Sequence, residues 1–158
     1  MPTLILLRHA KSDWSGGEPD DERPLAARGR RQAPEAGRWL ADHVDRIDLA
    51  VVSPAERARS TWSLAAAELA AVPPVRLDER VYGASSSSLL RVVRDLPDDL
   101  RTVVLVGHNP GLEDLASTLA GTWVSMPTSA HAVLEVDGSW AETGAATAGL
   151  TTSGRPPA

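Results

Sequence analysis

The chain has 158 residues, no cysteine and a formal net charge of −5, with 42% hydrophobic and 23% charged residues. At this length one domain with a sizeable core is expected, and disulfides and thiolate chemistry are excluded. The acidic balance argues against a nucleic-acid binder built on a broad basic face. No stretch approaches the ~20 apolar residues of a membrane span, no basic segment leads into a long apolar run, and the expected compartment is the cytoplasm.

In chain order, the apolar run Thr3–Leu7 reads as a buried strand that ends directly in Arg8-His9-Ala10-Lys11-Ser12. A polar, glycine-bearing loop through Gly17 follows. Apolar spacing then predicts a helix from about Arg30 to His43, with Ala33, Ala36, Gly37, Leu40 and Val44 on one face. Pro34 is placed in its first turn, where the missing N–H is harmless. Six arginines lie between Arg23 and Arg46 and are read mostly as solvated helix surface. Asp48–Val52 is the next strand, closed by Ser53-Pro54, and a helix over about 55–71 turns Ala58, Trp62, Ala65, Ala66 and Leu69 inward.

Val75–Leu77 is a short strand candidate, and Ser85 or Ser86 caps a helix carrying Leu89, Leu90 and Val93. The strand Thr102–Val106 runs into Gly107-His108-Asn109-Pro110, where Pro110 opens a helix with Leu112, Leu115, Ala116, Leu119 and Ala120 inward. Ala130 to Val136 alternates as a strand with Ala130, Ala132, Leu134 and Val136 on its buried face. The segment after Trp140 is rich in Ala, Thr, Gly and Pro, and reads as an edge strand near Gly149–Thr152 or as a loose end. Residues 1–140 are therefore taken as a single domain and 141–158 as a C-terminal tail. The strand–helix alternation predicts a three-layer α/β/α sandwich around a mainly parallel sheet.

Folds of this kind bind ligands in the crevice outside the carboxyl ends of their strands. Two strands here each deliver a histidine to that edge, His9 and His108. An imidazole attacks phosphorus when one ring nitrogen is an unprotonated acceptor and the other is held as a donor. The phosphoryl oxygens then need positive charge and donors around them, which the planar fork of arginine supplies well. Arg8 offers one fork, and Arg57, one turn after Ser53-Pro54, another, with Arg59 taking its place if the register slips. Helix geometry sets the two about 200° apart, so only one can face the pocket.

His108 adds a donor, and Ser12, with Lys11 and Ser15, can line the phosphate mouth. Glu79, in Asp78-Glu79-Arg80-Val81-Tyr82-Gly83, is the candidate general acid, its proton held by a partly closed pocket beside phosphate. His43 and His131 are read as surface residues. No close histidine pair such as i, i+4 is present, so neither a zinc site nor any cofactor is expected.

These residues resemble the signatures of the histidine phosphatase superfamily, the phosphoglycerate-mutase-like fold. Arg8-His9-Ala10-Lys11-Ser12 is similar to its Arg-His-Gly motif, with Ala10 in place of the usual glycine. Ser53-Pro54-Ala55-Glu56-Arg57-Ala58-Arg59-Ser60-Thr61 resembles its Ser-Pro-x-x-Arg-Ala-x-x-Thr segment, which selects Arg57 over Arg59. Gly107-His108-Asn109 is similar to its second histidine motif, and Glu79-Arg80-Val81-Tyr82-Gly83 to the stretch that carries the acid in the mutase branch.

Arg23-Pro24-Leu25, Arg28-Gly29 and the compact length resemble most the SixA-type phosphohistidine phosphatases. Mutases tend to carry asparagine where Ser15 stands, and the chain is short for the insertions that shape a mutase pocket.

The resemblance implies a metal-independent phosphatase. In it His9 forms a phosphohistidine, Arg8, Arg57 and His108 bind the phosphoryl group, and Glu79 or His108 protonates the leaving group. The expected substrate is a phosphorylated protein, such as one carrying phosphohistidine, or a small phosphate ester. No nucleic-acid or membrane partner is expected. A phosphotransferase or mutase, and a non-catalytic phospho-binding module, are the alternatives.

Overall fold

The computed structural model describes residues 1–157, in the order β1 (Thr3–Arg8), α1 (Ala27–His43), β2 (Leu49–Val52), α2 (Glu56–Ala66), β3 (Val75–Leu77), α3 (Ser86–Arg94), β4 (Thr102–Gly107), α4 (Gly111–Ala120), β5 (His131–Val136) and β6 (Ala148–Gly154). Short 3-10 turns lie at Asp20–Glu22, Glu79–Val81 and Trp140–Glu142. The strands form one six-stranded sheet, β3-β2-β4-β1-β5-β6. β1 to β4 are parallel, while β5 runs antiparallel to β1 and β6 antiparallel to β5. This is the α/β/α sandwich expected from the alternation.

Alternate residues of the central strands feed two separate cores. Leu4, Leu6, Val103, Leu105, Ala132 and Leu134 pack with Leu89, Val92, Leu112, Leu115 and Leu119 of α3 and α4. Ile5, Leu7, Val104, Val106 and Val133 face Ala36, Leu40, Ala58 and Trp62 of α1 and α2. Helices on both faces turn these strands into continuous apolar runs. Among the described residues no helix is long and apolar enough to cross a membrane.

Three expectations are revised. α1 begins at Ala27, so Pro34 sits inside the helix and not in its first turn. An interior proline costs about 3 kcal/mol or more. The helix tolerates it because α1 is clamped from outside: Gly37 lies so close to the Ala65 carbonyl of α2 that a Cβ would collide with it, and the Lys11 carbonyl accepts the Ala26 N–H at 2.9 Å. α2 ends at Ala66, five residues short of the expected 71. His131 is only 4% exposed and not a surface residue. Its ring stacks on Trp39 of α1 at 3.6 Å between centroids, and His43 stacks on the same indole at 4.3 Å. The face of β5 opposite Ala130 and Ala132 is not solvent but the second core.

Candidate active site

The sheet register assembles the site. Arg8 of β1 pairs with Gly107 of β4, and Val52 of β2 with Val106 of β4. His9, Ser53 and His108 therefore leave three adjacent strands at the same edge. The pairing is continued by backbone bonds from His9 N–H to the Gly107 carbonyl and from Ser53 N–H to the Val106 carbonyl, each 3.0 Å. The two imidazoles end 5.1 Å apart between ring centroids, tilted by 52°.

His9 is 7% exposed. Its Nδ1 lies 2.8 Å from the Ala10 carbonyl, which has only acceptor capacity, so Nδ1 carries the proton and Nε2 keeps its lone pair. Burial first, then the charges of Arg57, Arg8 and Arg23, push its pKa down to about 4. His108 meets Ser53 Oγ through Nε2 at 2.7 Å, and burial with the surrounding cations pushes it down to about 3. Both rings are neutral at pH 7, the state a nucleophile requires.

The sign of the pH effect follows. The unfolded chain protonates these histidines near 6.5 and the folded chain only near 4 and 3. As pH falls through that window the unfolded state binds more protons, and stability declines. NMR titration of the His9 and His108 ring protons should give midpoints near 4 and 3, and inorganic phosphate should raise both. Free-enzyme midpoints near 6.5 would contradict the assignment.

The predicted arginine is the one that turns inward. Arg57 is buried, whereas Arg59 lies on the surface, bonding the Pro54 carbonyl and Glu56. Arg57 Nη1 donates to the Asp20 carbonyl at 2.6 Å and Nη2 to Asp20 Oδ2 at 3.1 Å. Tyr82 Oη donates to the same carboxylate oxygen at 2.5 Å, and Arg23 Nε reaches its other oxygen at 3.2 Å. Tyr82 first, with Arg57 and Arg23, draws the Asp20 carboxyl down to about 2.

Ser12 is buried and accepts from Arg23 Nη1 at 2.9 Å, which ties it to this network beneath the mouth. Arg23 in turn carries Trp14 over its guanidinium at 3.4 Å. Ser15 is engaged in the loop with Asp13, at 2.6 Å.

Arg8 is half-buried, with Nη1 on the Met126 carbonyl at 3.2 Å. Asn109 bonds the same carbonyl at 2.8 Å, and Glu113 accepts the Met126 N–H at 2.8 Å, so the 126 segment forms one wall. The nitrogens Arg8 Nε, Arg57 Nε and His108 Nδ1 are buried without a protein partner.

Glu79 departs from expectation. It is exposed on its 3-10 turn, so the partly closed pocket that was to hold its proton is not there. Among the described residues no group of three His, Cys, Asp or Glu gathers in a way that could hold a metal ion.

The sequence assigns no role to Asp20, Arg23, Tyr82 or Asn109, nor to Ser53 as a partner of His108. Arg23, Ser53, Tyr82 and Asn109 stand inside motifs already noticed. Asp20 stood in the run Asp20-Asp21-Glu22, with nothing to distinguish it from its neighbours.

The model of the histidine phosphatase superfamily, branch 1, matches residues 4–116. The chain belongs to this superfamily. An uncharacterized protein of Mycobacterium tuberculosis is 39% identical over 147 residues, covering 86% of this chain and 90% of that one. Among solved structures, one from Nakamurella multipartitia described as a phosphohistidine phosphatase SixA superposes with a TM-score of 0.86 at 29% identity, covering 99% and 97% of the two chains. A second, of the same description from Agrobacterium tumefaciens, gives 0.84 at 28% identity, covering 99% of each. The chain is thus a histidine phosphatase of the SixA type, an enzyme class that works through a phosphohistidine intermediate.

Proposed function

We propose that this histidine phosphatase hydrolyses phosphohistidine on a protein, with His9 as the phosphoryl acceptor and no metal in the reaction. His9 Nε2 attacks the phosphorus in line with the departing nitrogen. Arg8, Arg57 and His108 surround the equatorial oxygens and meet the charge that spreads over them. With its proton on Nδ1, His108 accepts from the Ser53 hydroxyl at Nε2 and gives Nδ1–H to a phosphoryl oxygen. Water then attacks the phosphorus of phospho-His9, the N–P bond breaks, and orthophosphate leaves with His9 neutral again. Ser12 acts by holding Arg23 in place. The cytoplasm is part of the proposal, as the compartment where the phosphoprotein would be met.

The observation that carries the choice of substrate is the weakness of the acid. Glu79 is exposed, and His108 is neutral with a pKa of about 3. An alkoxide leaving group needs a proton at the moment the bond breaks. An imidazole already protonated at its other ring nitrogen leaves as a neutral molecule and needs none. The SixA descriptions of the two similar structures support the same substrate.

The test is a kcat/KM ranking. A phosphohistidine peptide should exceed p-nitrophenyl phosphate, and both should exceed the alkyl ester 3-phosphoglycerate. A ranking led by 3-phosphoglycerate would assign the site to a small-ester phosphatase instead, and transfer of the phosphoryl group to an acceptor other than water would make it a transferase.

A further inference from the structure

Five arginines outside the site are neutralised by a neighbour. Arg38 pairs with Glu68, Arg46 with Asp48, Arg59 with Glu56, and Arg76 and Arg80 with Asp78. Arg28, Arg31 and Arg155 form no ion pair among the described residues, yet all three line one open cleft of about 440 Å³. Arg28 and Arg31 project from the first turns of α1, and Arg155 follows β6. The cleft holds a single carboxylate, Glu35.

Its position gives this charge a use. Gln32, on the cleft wall, accepts the Lys11 N–H at 2.9 Å, and Gly29 packs so tightly on the Lys11 carbonyl that a Cβ would collide with it. Lys11 is two residues beyond His9. On the opposite wall Arg155 Nη1 reaches Thr128 Oγ1 at 3.4 Å, and the next residue, Ser129, donates its N–H to the His9 carbonyl at 3.0 Å. Both walls are therefore fastened to the backbone that carries the nucleophile.

We propose that this cleft docks an acidic segment of the phosphoprotein, adjacent in sequence to the phosphohistidine presented to His9. The inference rests on the phosphohistidine reading above and adds the charge of the flanking residues as the determinant of choice. A chain with net charge −5 repels acidic partners in general, so a local, unpaired cationic cleft beside the reaction centre both admits and orients them.

The experiment uses two phosphohistidine peptides of equal length, one flanked by Asp and Glu and one by Ser and Gln, together with p-nitrophenyl phosphate. The wild-type enzyme should favour the acidic peptide by about tenfold or more in kcat/KM, a preference that fades at high ionic strength. The variant R28E/R31E/R155E should lose that preference, while turnover of the neutral peptide and of p-nitrophenyl phosphate stays within about twofold, which also reports correct folding. The neutralised variant R28Q/R31Q/R155Q should fall between the two.

Equal rates on both peptides in the wild type, or a uniform loss on all three substrates in the variants, would overturn the docking while leaving the phosphatase reading intact. Cleavage of p-nitrophenyl phosphate but of neither peptide would overturn the phosphohistidine reading and the docking with it. Binding to phosphatidylglycerol vesicles that the triple variant abolishes, without peptide discrimination, would overturn it in favour of a lipid surface.

Discussion

Replacing His9 with alanine is expected to lower turnover by about 10⁴-fold or more, because it removes the atom proposed to form the covalent intermediate. The loss should fall on kcat, since Arg8, Arg57 and His108, the proposed phosphoryl ligands, remain. Quenching wild-type enzyme during turnover should trap an acid-labile phosphoryl group on His9, and the variant should trap none. An adduct that persists in His9→Ala would move the nucleophile elsewhere and sink the mechanism. The fold should survive: the backbone bonds of residue 9 to Gly107 and Ser129 do not involve the ring. One buried imidazole and its bond to the Ala10 carbonyl are lost, and with them one source of acid lability, because the unfolded histidine no longer gains a proton as pH falls.

Arg57→Ala should cost about 10²–10³-fold in kcat, the scale seen when one preorganised donor to a developing charge is removed. Lysine should not restore the rate. Arg57 spans a carbonyl and a carboxylate of Asp20 with two different nitrogens, and one ammonium cannot reproduce that planar fork. The variant has a second signature. Arg57 is one of the charges that hold the His9 pKa down, so its removal should move the His9 midpoint upward. A histidine titration unchanged in Arg57→Ala would show that this guanidinium does not act on the nucleophile. A loss confined to KM would make it a binding group rather than a stabiliser of the transition state.

How much of this was readable from the chain follows from the physics of each residue. The strand ends carrying His9, His108 and Arg57 were legible because short apolar runs stop abruptly at polar, chemically able residues. The choice between Arg57 and Arg59 needed only helix geometry and a motif. Asp20 was not legible, because its meaning lies in partners 37 and 62 residues away, Arg57 and Tyr82. His131 misled for a related reason: alternation implies a wet face only where a sheet has one, and β5 is covered on both sides. Pro34 was placed by local preference, which the packing of α1 on α2 overrode. Glu79 is exposed while Val81 of the same turn is buried against β4, and no spacing in the sequence reports that split.

The bonds from residue 9 to 107 and from residue 53 to 106 have a consequence for how the enzyme fails. His9 and His108 are neighbours by hydrogen-bond register and not by the folding-over of a loop. Any fluctuation that parts them must unzip β1, β4 and β2, the middle of the sheet, and such an opening is close to unfolding the molecule. Fraying of the termini or of the 13–19 loop leaves their spacing untouched. Loss of the imidazole pair and loss of the fold are therefore expected to be one event, and hydrogen–deuterium exchange should place the His9 and Ser53 amides in the slowest class.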